Sequence, residues 1–206
     1  SLTAIVTDAT VQRPSIYQVI KHVANLKLAI SESQIQECVQ RLAQMIHADY
    51  QGEPLLVVGA LNGSFVFLSD LICHMHLPIQ VDFIRVSSYG ESAKSSGKVS
   101  LHHGVRTPVL GKNVLVVEDI VDTGFTAQFI RRYFEEQGAA TVRICTLLDK
   151  PVRRRTAVTV DYVGFEVPDE FIVGYGLDFN QQYRELRDLY SLEAKLEYRI
   201  KPRLIN

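Results

Sequence analysis

The chain has 206 residues, 47% of them hydrophobic, and a formal net charge of −1, which suits one domain with a substantial core and gives no general attraction to nucleic acid or membranes. The three cysteines, Cys38, Cys73 and Cys145, are widely spaced without a C-x-x-C pair, which favours a reducing compartment over a disulfide framework or a zinc site. No apolar run approaches the roughly 18 residues of a membrane span, and the first residues, SLTAIVTDAT, lack the basic and apolar regions of a signal peptide, so we expect a cytoplasmic protein.

The first half of the chain alternates between predicted helices and strands. A capping-box pattern, Ser31-x-x-Gln34, precedes apolar residues that recur on one helical face, which predicts a helix from about 31 to 50. The continuous apolar run at 55–61, LLVVGAL, is typical of a strand in a sheet that is covered on both faces. Further predicted elements are a helix at 64–75 and a strand at 79–89.

The segment that follows, residues 90–111, is polar and shows neither helical nor strand periodicity. Loops of this length in compact domains are usually functional lids or disordered connectors. We predict a mobile lid over 88–109, with a disordered surface loop as the alternative.

In the second half the alternation continues. The predicted elements are a strand at 113–120, a helix from about 124 to 137 that Gly138 ends, a strand at 141–150 that Pro151 ends, and apolar runs at 162–167 and 171–178. This order predicts a parallel sheet with right-handed crossovers. We expect a single α/β domain over 1–206, with a core at about 31–165 and a small hood built from about 1–30 and 166–206.

The stretch VLVVEDIVDTGFT, residues 114–126, ends an apolar strand in three carboxylates and two threonines. The backbone N–H groups at the start of the predicted helix suit a phosphate, and Gly124 permits its close approach. Glu118 and Asp119 would repel that phosphate, but they suit ribose hydroxyls or Mg²⁺. Asp-Thr-Gly alone could equally cap a helix, whereas the whole pattern describes a ribose 5-phosphate site. It is neither a P-loop nor a dinucleotide-binding turn.

This stretch resembles the phosphoribosyl-pyrophosphate signature of type I phosphoribosyltransferases. The segments at 58–71, 147–151 and 161–186 are similar to the hypoxanthine-guanine phosphoribosyltransferases, and the likeness runs from about 55 to 190. It implies the type I fold, a central mostly parallel sheet flanked by helices, with a small hood and a flexible lid loop. It also implies magnesium-dependent transfer of a phosphoribosyl group to N9 of a 6-oxopurine, in a homodimer or homotetramer.

Two alternatives stay open at this point. One is a type I transferase for another base. The other is a non-catalytic, nucleotide-sensing regulator on the same fold, which would bind nucleic acid and require a basic face.

The resemblance assigns roles to the residues of the signature. It places the 5-phosphate in the loop formed by Asp122, Thr123, Gly124, Phe125 and Thr126. It places Glu118 and Asp119 at the ribose hydroxyls and, together with Asp178, at Mg²⁺. It makes Asp122 the general base that takes the purine proton, a role open to a carboxylate that is ionised at neutral pH.

Other matched positions concern the purine, the pyrophosphate and the lid. A lysine only donates hydrogen bonds, so Lys150 suits a 6-oxo group and disfavours a 6-amino group. The resemblance further assigns Phe171, Ile172 and Asp178 to the purine, Leu61, Asn62, Gly63 and Arg184 to the pyrophosphate, and Ser88 and Tyr89 to the lid.

Three further positions concern one more candidate and two departures from the family pattern. Arg154 is a further pyrophosphate candidate, unless the turn at 152–156 is simply solvated. Asn62 and Phe125 stand where many relatives carry a basic residue, which affects expected affinity more than activity. The family also has an unusual cis peptide in the loop at 61–64.

Overall fold

The computed structural model describes residues 26–88 and 99–192 of the chain. Within these residues the main chain forms two sheets and three α-helices. The strands are β1 (Leu26–Ile30), β2 (Leu55–Leu61), β3 (Ile79–Ser88), β4 (Val99–His103), β5 (Asn113–Val121), β6 (Thr141–Asp149), β7 (Tyr162–Glu166), β8 (Phe171–Val173) and β9 (Leu189–Leu192); the helices are α1 (Glu32–Tyr50), α2 (Phe65–His74) and α3 (Phe125–Glu136), with a 3₁₀ turn at Pro151–Arg153.

The larger sheet has six strands in the order β4-β3-β2-β5-β6-β7. Strand β2 pairs in parallel with β3 and β5, and the parallel pairing continues from β5 to β6 and from β6 to β7. Strand β4 lies antiparallel to β3 at one edge. The predicted α/β fold with a mostly parallel central sheet is confirmed.

Helices cover both faces of this sheet, so its central strands are apolar on both sides. Helices α1 and α2 pack against alternate strand residues such as Val57, Leu115 and Leu147. Helix α3 packs on the opposite face, against Val58 and Val116. This two-sided burial is why the runs in β2 and β5 are continuously hydrophobic rather than alternating.

Helix α1 begins with the capping box that the sequence predicts. The Gln34 N–H donates to Ser31 Oγ at 3.4 Å, and the Ser31 N–H donates to Gln34 Oε1 at 2.9 Å. These two bonds satisfy N–H groups that the first turn of a helix leaves without partners. The predicted apolar face is buried.

The prediction of a segment without regular structure at 90–111 is wrong at Val99–His103, which form β4. The Ser100 and Leu101 backbone pairs with Ser87 and Val86 of β3. Tertiary pairing therefore makes a strand out of five residues whose own pattern is too weak to predict one. Residues 89–98, the middle of the predicted lid, lie outside the described residues.

A second, smaller sheet has the order β1-β9-β8, with antiparallel pairing throughout. Its strands come from segments assigned to the hood, whose residues 1–25 and 193–206 lie outside the described residues. Pairing sets Phe171 opposite Leu192 and Ile172 opposite Ser191, so the two candidate purine contacts lie on a hydrogen-bonded strand rather than in a loop. In the part of the chain described here, no helix is both long and apolar enough to cross a membrane.

Candidate active site

The predicted site residues gather where three parallel strands end. Strands β2, β5 and β6 end at Leu61, Val121 and Asp149, and parallel strands bring their carboxyl ends to one edge of the sheet. A cavity of about 740 Å³ opens at this edge. Six of the predicted residues line it: Asp119, Asp122, Lys150, Phe171, Ile172 and Asp178.

Other predicted residues flank the cavity rather than line it. Arg184 is ion-paired with Asp178 of the cavity wall, with 2.7 Å between Nη2 and Oδ1. Gly63 lies against Asp119, because a Cβ built on this glycine would overlap Asp119 Oδ2. Glu118 directly precedes the cavity-lining Asp119, and the loop Thr123–Thr126 directly follows the cavity-lining Asp122.

The candidate 5-phosphate loop leads directly into α3. Gly124 is the N-cap and has no side chain to occupy the first N–H groups of the helix, so those groups remain available to an anion. Gly124 has a φ of +89°, and a Cβ there would lie 2.9 Å from Arg154 Cδ and from Val158 Cγ1. Both the backbone conformation and the crowding therefore require glycine.

The candidate pyrophosphate loop follows β2. The peptide bond between Leu61 and Asn62 is cis, a question that the sequence leaves open. Ser64 is buried, and its Oγ donates to the Ala60 carbonyl at 2.6 Å. This bond ties the end of the loop back to β2, next to Gly63, which lies against Asp119.

Glu118 and Asp119 lie side by side at the end of β5 without a cation paired to either among the described residues. Glu118 is buried, and its Oε1 has no hydrogen-bond partner in the described part of the chain. Burial, and next the charge of Asp119, raise the pKa of Glu118 well above its ordinary value. Burial also raises the pKa of Asp119 to about 6, although the Ile120 N–H and the charge of Arg184 oppose this. The pair therefore provides acceptors with little compensating positive charge.

This arrangement fits Mg²⁺ that is shared with a substrate. The described residues contain no group of three or more His, Cys, Asp or Glu that could hold a metal ion by themselves. Mg²⁺ usually keeps several waters and is bound by one or two carboxylates together with substrate phosphates. The unpartnered Oε1 of Glu118 and the cavity-lining Asp119 suit that mode.

The other candidate metal ligand, Asp178, is already engaged. Its Oδ1 pairs with Arg184 Nη2, and its Oδ2 accepts from the Gln181 N–H at 2.8 Å. Arg184 Nη1 donates to the Gly176 carbonyl at 2.7 Å. Asp178, a candidate magnesium ligand, and Arg184, a candidate pyrophosphate contact, thus neutralise each other's charge.

Lys150 and Phe171 face the same cavity. Lys150 is buried, and its Nζ donates to the Glu170 carbonyl at 2.5 Å. Burial lowers the pKa of Lys150, and the charges of Asp122 and Asp169 oppose the shift. Phe171 is 48% exposed in the cavity wall, and its ring meets Phe179 edge to face, so it offers an aromatic surface to a planar ligand.

Two consecutive arginines hold Asp122. Arg153 Nε lies 2.7 Å from Asp122 Oδ1, an ion pair without the alignment of a directed hydrogen bond. Arg154 Nη1 donates to the Asp122 carbonyl at 2.9 Å, and its Nη2 pairs with Asp149. Arg154, a pyrophosphate candidate from the sequence, therefore bonds to protein groups that support the site.

Sequence reasoning missed several residues of the cavity wall. Arg153 and Asp169 carry a signal in hindsight, because one stands three residues after Lys150 and the other two residues before Phe171. Residues brought in from distant parts of the chain carry none, because strand pairing places them: Lys27, Ser191 and Leu192. For the lid, Tyr89 and the side chain of Ser88 lie outside the described residues.

Comparison with known proteins identifies the family. Residues 31–180 match the family model of the phosphoribosyl transferase domain. The chain is 43% identical over 160 residues to the hypoxanthine-guanine phosphoribosyltransferase of Bacillus subtilis, covering 78% of this chain and 89% of the relative.

Solved structures agree. A hypoxanthine-guanine phosphoribosyltransferase from Bacillus anthracis superposes with a TM-score of 0.77 at 47% identity, over 80% of this chain and 97% of the other. A hypoxanthine phosphoribosyltransferase from Staphylococcus aureus gives 0.81 at 37% identity, over 86% and 96%. The chain therefore belongs to the hypoxanthine-guanine phosphoribosyltransferase family of type I phosphoribosyltransferases.

Proposed function

We propose that the chain transfers the 5-phosphoribosyl group of phosphoribosyl pyrophosphate to N9 of hypoxanthine or guanine. The bond from C1′ to the pyrophosphate oxygen breaks, a bond from C1′ to N9 forms, and the purine loses one proton. The products are IMP or GMP and pyrophosphate, which makes the chain a purine-salvage transferase. The observation that carries the proposal is one cavity that presents Lys150, Phe171 and Asp122 together, beside the acid pair and the open start of α3.

The purine is recognised by a donor and a ring. An ammonium has three donors, so Lys150 can give one hydrogen to the Glu170 carbonyl and still donate to a 6-oxo group. A 6-amino group offers it only another donor, which explains a preference for 6-oxopurines over adenine. Phe171 stacks on the base, and the main chain of Ile172 and Asp178 reads its edge.

The sugar phosphate occupies the β5 side of the cavity. The N–H groups at the start of α3 and the hydroxyls of Thr123 and Thr126 bind the 5-phosphate. Glu118 and Asp119 accept hydrogen bonds from the ribose hydroxyls. Asp122 stands between this loop and the purine, where its carboxylate takes the proton that the base loses.

The cofactor in this proposal is Mg²⁺. Glu118, Asp119 and Asp178 are the residues that would hold it, together with oxygens of the substrate. When bound, it supplies positive charge against the leaving pyrophosphate. The main chain of Leu61, Asn62 and Gly63, with Arg184, binds the pyrophosphate itself.

The regulator alternative has little support. The relatives named above are transferases, and a nucleic-acid partner would not account for the clustered acids of the site. A transferase for another base fits poorly with Lys150 and Phe171 in one cavity. The small-molecule partners are therefore the 6-oxopurine and phosphoribosyl pyrophosphate.

We also propose a homodimer or homotetramer that works in the cytoplasm. Val81 and Phe83 lie two apart on β3, point to the same side of the sheet, and are 40% and 37% exposed. Such an apolar face is more costly to leave in water than to cover with a second copy. The three cysteines are all unpaired, as expected in a reducing compartment.

A base panel tests the proposal. The purified chain is assayed for pyrophosphate release with phosphoribosyl pyrophosphate, Mg²⁺ and, in turn, hypoxanthine, guanine, xanthine, adenine and orotate. We expect turnover with hypoxanthine and guanine and little with adenine or orotate. Absence of turnover with every base, combined with a gel shift of nucleic acid, would favour the regulator instead.

A further inference from the structure

One guanidinium joins the candidate base to the segment that carries the candidate stacking ring. Arg153 Nε lies 2.7 Å from Asp122 Oδ1, and Arg153 Nη1 lies 2.9 Å from Asp169 Oδ1. Asp122 follows β5, whereas Asp169 lies two residues before Phe171 in the connection to β8. All of these residues line the same cavity.

The local structure fixes the backbone from which this guanidinium extends. Pro151 starts the 3₁₀ turn directly after Lys150, and the Arg153 N–H donates to the Lys150 carbonyl at 3.0 Å. The next residue, Arg154, holds the main-chain carbonyl of Asp122. Arg154 therefore fixes the backbone of the candidate base, and Arg153 engages its side chain.

The pairing distinguishes the two carboxylate oxygens of Asp122. Oδ1 is shielded from solvent and faces Arg153. The side chain as a whole is nevertheless 37% exposed, so Oδ2 is the oxygen open to the cavity. A guanidinium presents its donors in a rigid planar fork. The ion pair with Asp169 therefore restricts rotation of the Arg153 guanidinium that pairs with Asp122.

We propose that Arg153 is a positioning residue for the transfer reaction, which bridges Asp122 and Asp169 so that Oδ2 of Asp122 is presented to the purine. This inference rests on the proposed function, in which Asp122 is the base. Arg153 acts through Asp122 and needs no contact of its own with the substrate. Asp169 has a supporting role, because its carboxylate pairs with Nη1 of the same guanidinium.

If Arg153 served only to stabilise the fold, removing it would lower the thermal unfolding temperature. Arg153, Asp122 and Asp169 have side chains that are 41%, 37% and 56% exposed. Ion pairs this exposed contribute little to folding, so removing Arg153 should leave the thermal unfolding temperature nearly unchanged. A positioning role instead lowers the rate of the chemical step, because small misplacement of a reacting group can cost up to about 100-fold.

The experiment compares Arg153→Ala with Arg155→Ala, a neighbouring exposed arginine that does not line the cavity. Single-turnover rates with hypoxanthine and phosphoribosyl pyrophosphate are measured beside the Kd for IMP. For Arg153→Ala we expect a rate roughly 10- to 100-fold lower, with Kd for IMP within about threefold of wild type, while Arg155→Ala stays within about twofold on both. In a double-mutant cycle, Asp169→Asn should lower the rate in the wild type but add little to Arg153→Ala.

If the wild-type chain is active, any one of three results would overturn this inference and leave the proposed function standing. They are an Arg153→Ala rate within twofold of wild type, a loss of IMP binding as large as the loss of rate, or effects of Arg153→Ala and Asp169→Asn that multiply in the double variant. A wild-type chain inactive with every base would instead overturn the proposed function, and this inference with it.

Discussion

Replacing Asp122 with asparagine keeps the shape of the side chain but removes its charge and its capacity to take a proton. General-base assistance is worth about 10²–10⁴-fold in rate, which corresponds to roughly 2.7–5.5 kcal/mol in the activation barrier. The amide of the variant would still offer an oxygen to Arg153, so the geometry around it should persist. We expect turnover with hypoxanthine to fall by about this factor, with nucleotide binding nearly intact.

Loss of folding is a poor explanation for such a result. The ion pair that Asp122 makes with Arg153 is exposed by 37% and 41%, and exposed pairs contribute about 0–1 kcal/mol to stability. A matched control lies outside the site. Asp49 pairs with Arg143 at 2.6 Å, with exposures of 49% and 36%. Asp49→Asn removes a comparable charge pair and should leave turnover unchanged.

The assay is rapid-quench single turnover, in which the chemical step limits the rate, together with the Kd for IMP by calorimetry. A variant Asp122→Asn that keeps more than half the wild-type single-turnover rate would remove Asp122 from the role of base. A fall in rate that Asp49→Asn reproduces would point to a general effect of charge or stability instead.

Three further predictions concern the purine, the phosphate loop and the fold. Lys150→Ala should raise KM for hypoxanthine and guanine about 10- to 150-fold, the value of a charge-assisted hydrogen bond; unchanged KM values in steady-state assays would place the purine elsewhere. Gly124→Ala should raise KM for phosphoribosyl pyrophosphate at least about tenfold, because φ is +89° and neighbouring atoms lie 2.9 Å from the new Cβ. The control Gly52→Ala has φ of +88° with nothing within 4 Å, so it should show only a backbone cost of about 1 kcal/mol in urea unfolding; equal KM effects would contradict the assignment. Burial alone would raise the pKa of Asp82, but hydrogen bonds from the Thr107 N–H and other donors outweigh it, so the pKa is lowered. The ionised carboxylate therefore stabilises the fold above the unfolded-state pKa, and this stabilisation is lost as the pH falls through the folded-state pKa. Asp82→Asn should therefore lose about 1 kcal/mol at pH 7, with a difference from wild type that shrinks below about pH 4; a difference independent of pH would refute the charge argument.

The sequence predicted the parts of the fold that local chemistry determines. The capping box at Ser31 and Gln34 placed the start of α1, and the continuous apolar run of β2 indicated a sheet covered on both faces. The order of strand and helix predicted parallel pairing. These signals are readable because each one depends on residues close together in the chain.

The parts that were missed depend on residues far apart. Strand β4 exists because β3 pairs with it, and its own five residues carry too weak a pattern to show this. Lys27 and Ser191 reach the cavity because β1 and β9 pair in register. Arg153 was passed over for its neighbour Arg154, because a basic turn does not show which guanidinium points into the site.

The signature at 114–126 was informative for a different reason. Strand β5 must be apolar to lie in the centre of the sheet, yet its end carries acids that packing does not require. Glu118 is buried with an unpartnered oxygen, a costly arrangement that makes sense for a group that binds something. The sequence therefore indicated the chemistry of the site more clearly than the full set of residues that line the cavity.

A crystal structure of the chain with IMP bound tests the central claim most directly. The account predicts the 5-phosphate at the N–H groups that open α3, the purine ring stacked on Phe171, and the 6-oxo group within about 3 Å of Lys150 Nζ. IMP bound outside the cavity, or inside it with the 6-oxo group directed away from Lys150, would contradict the account.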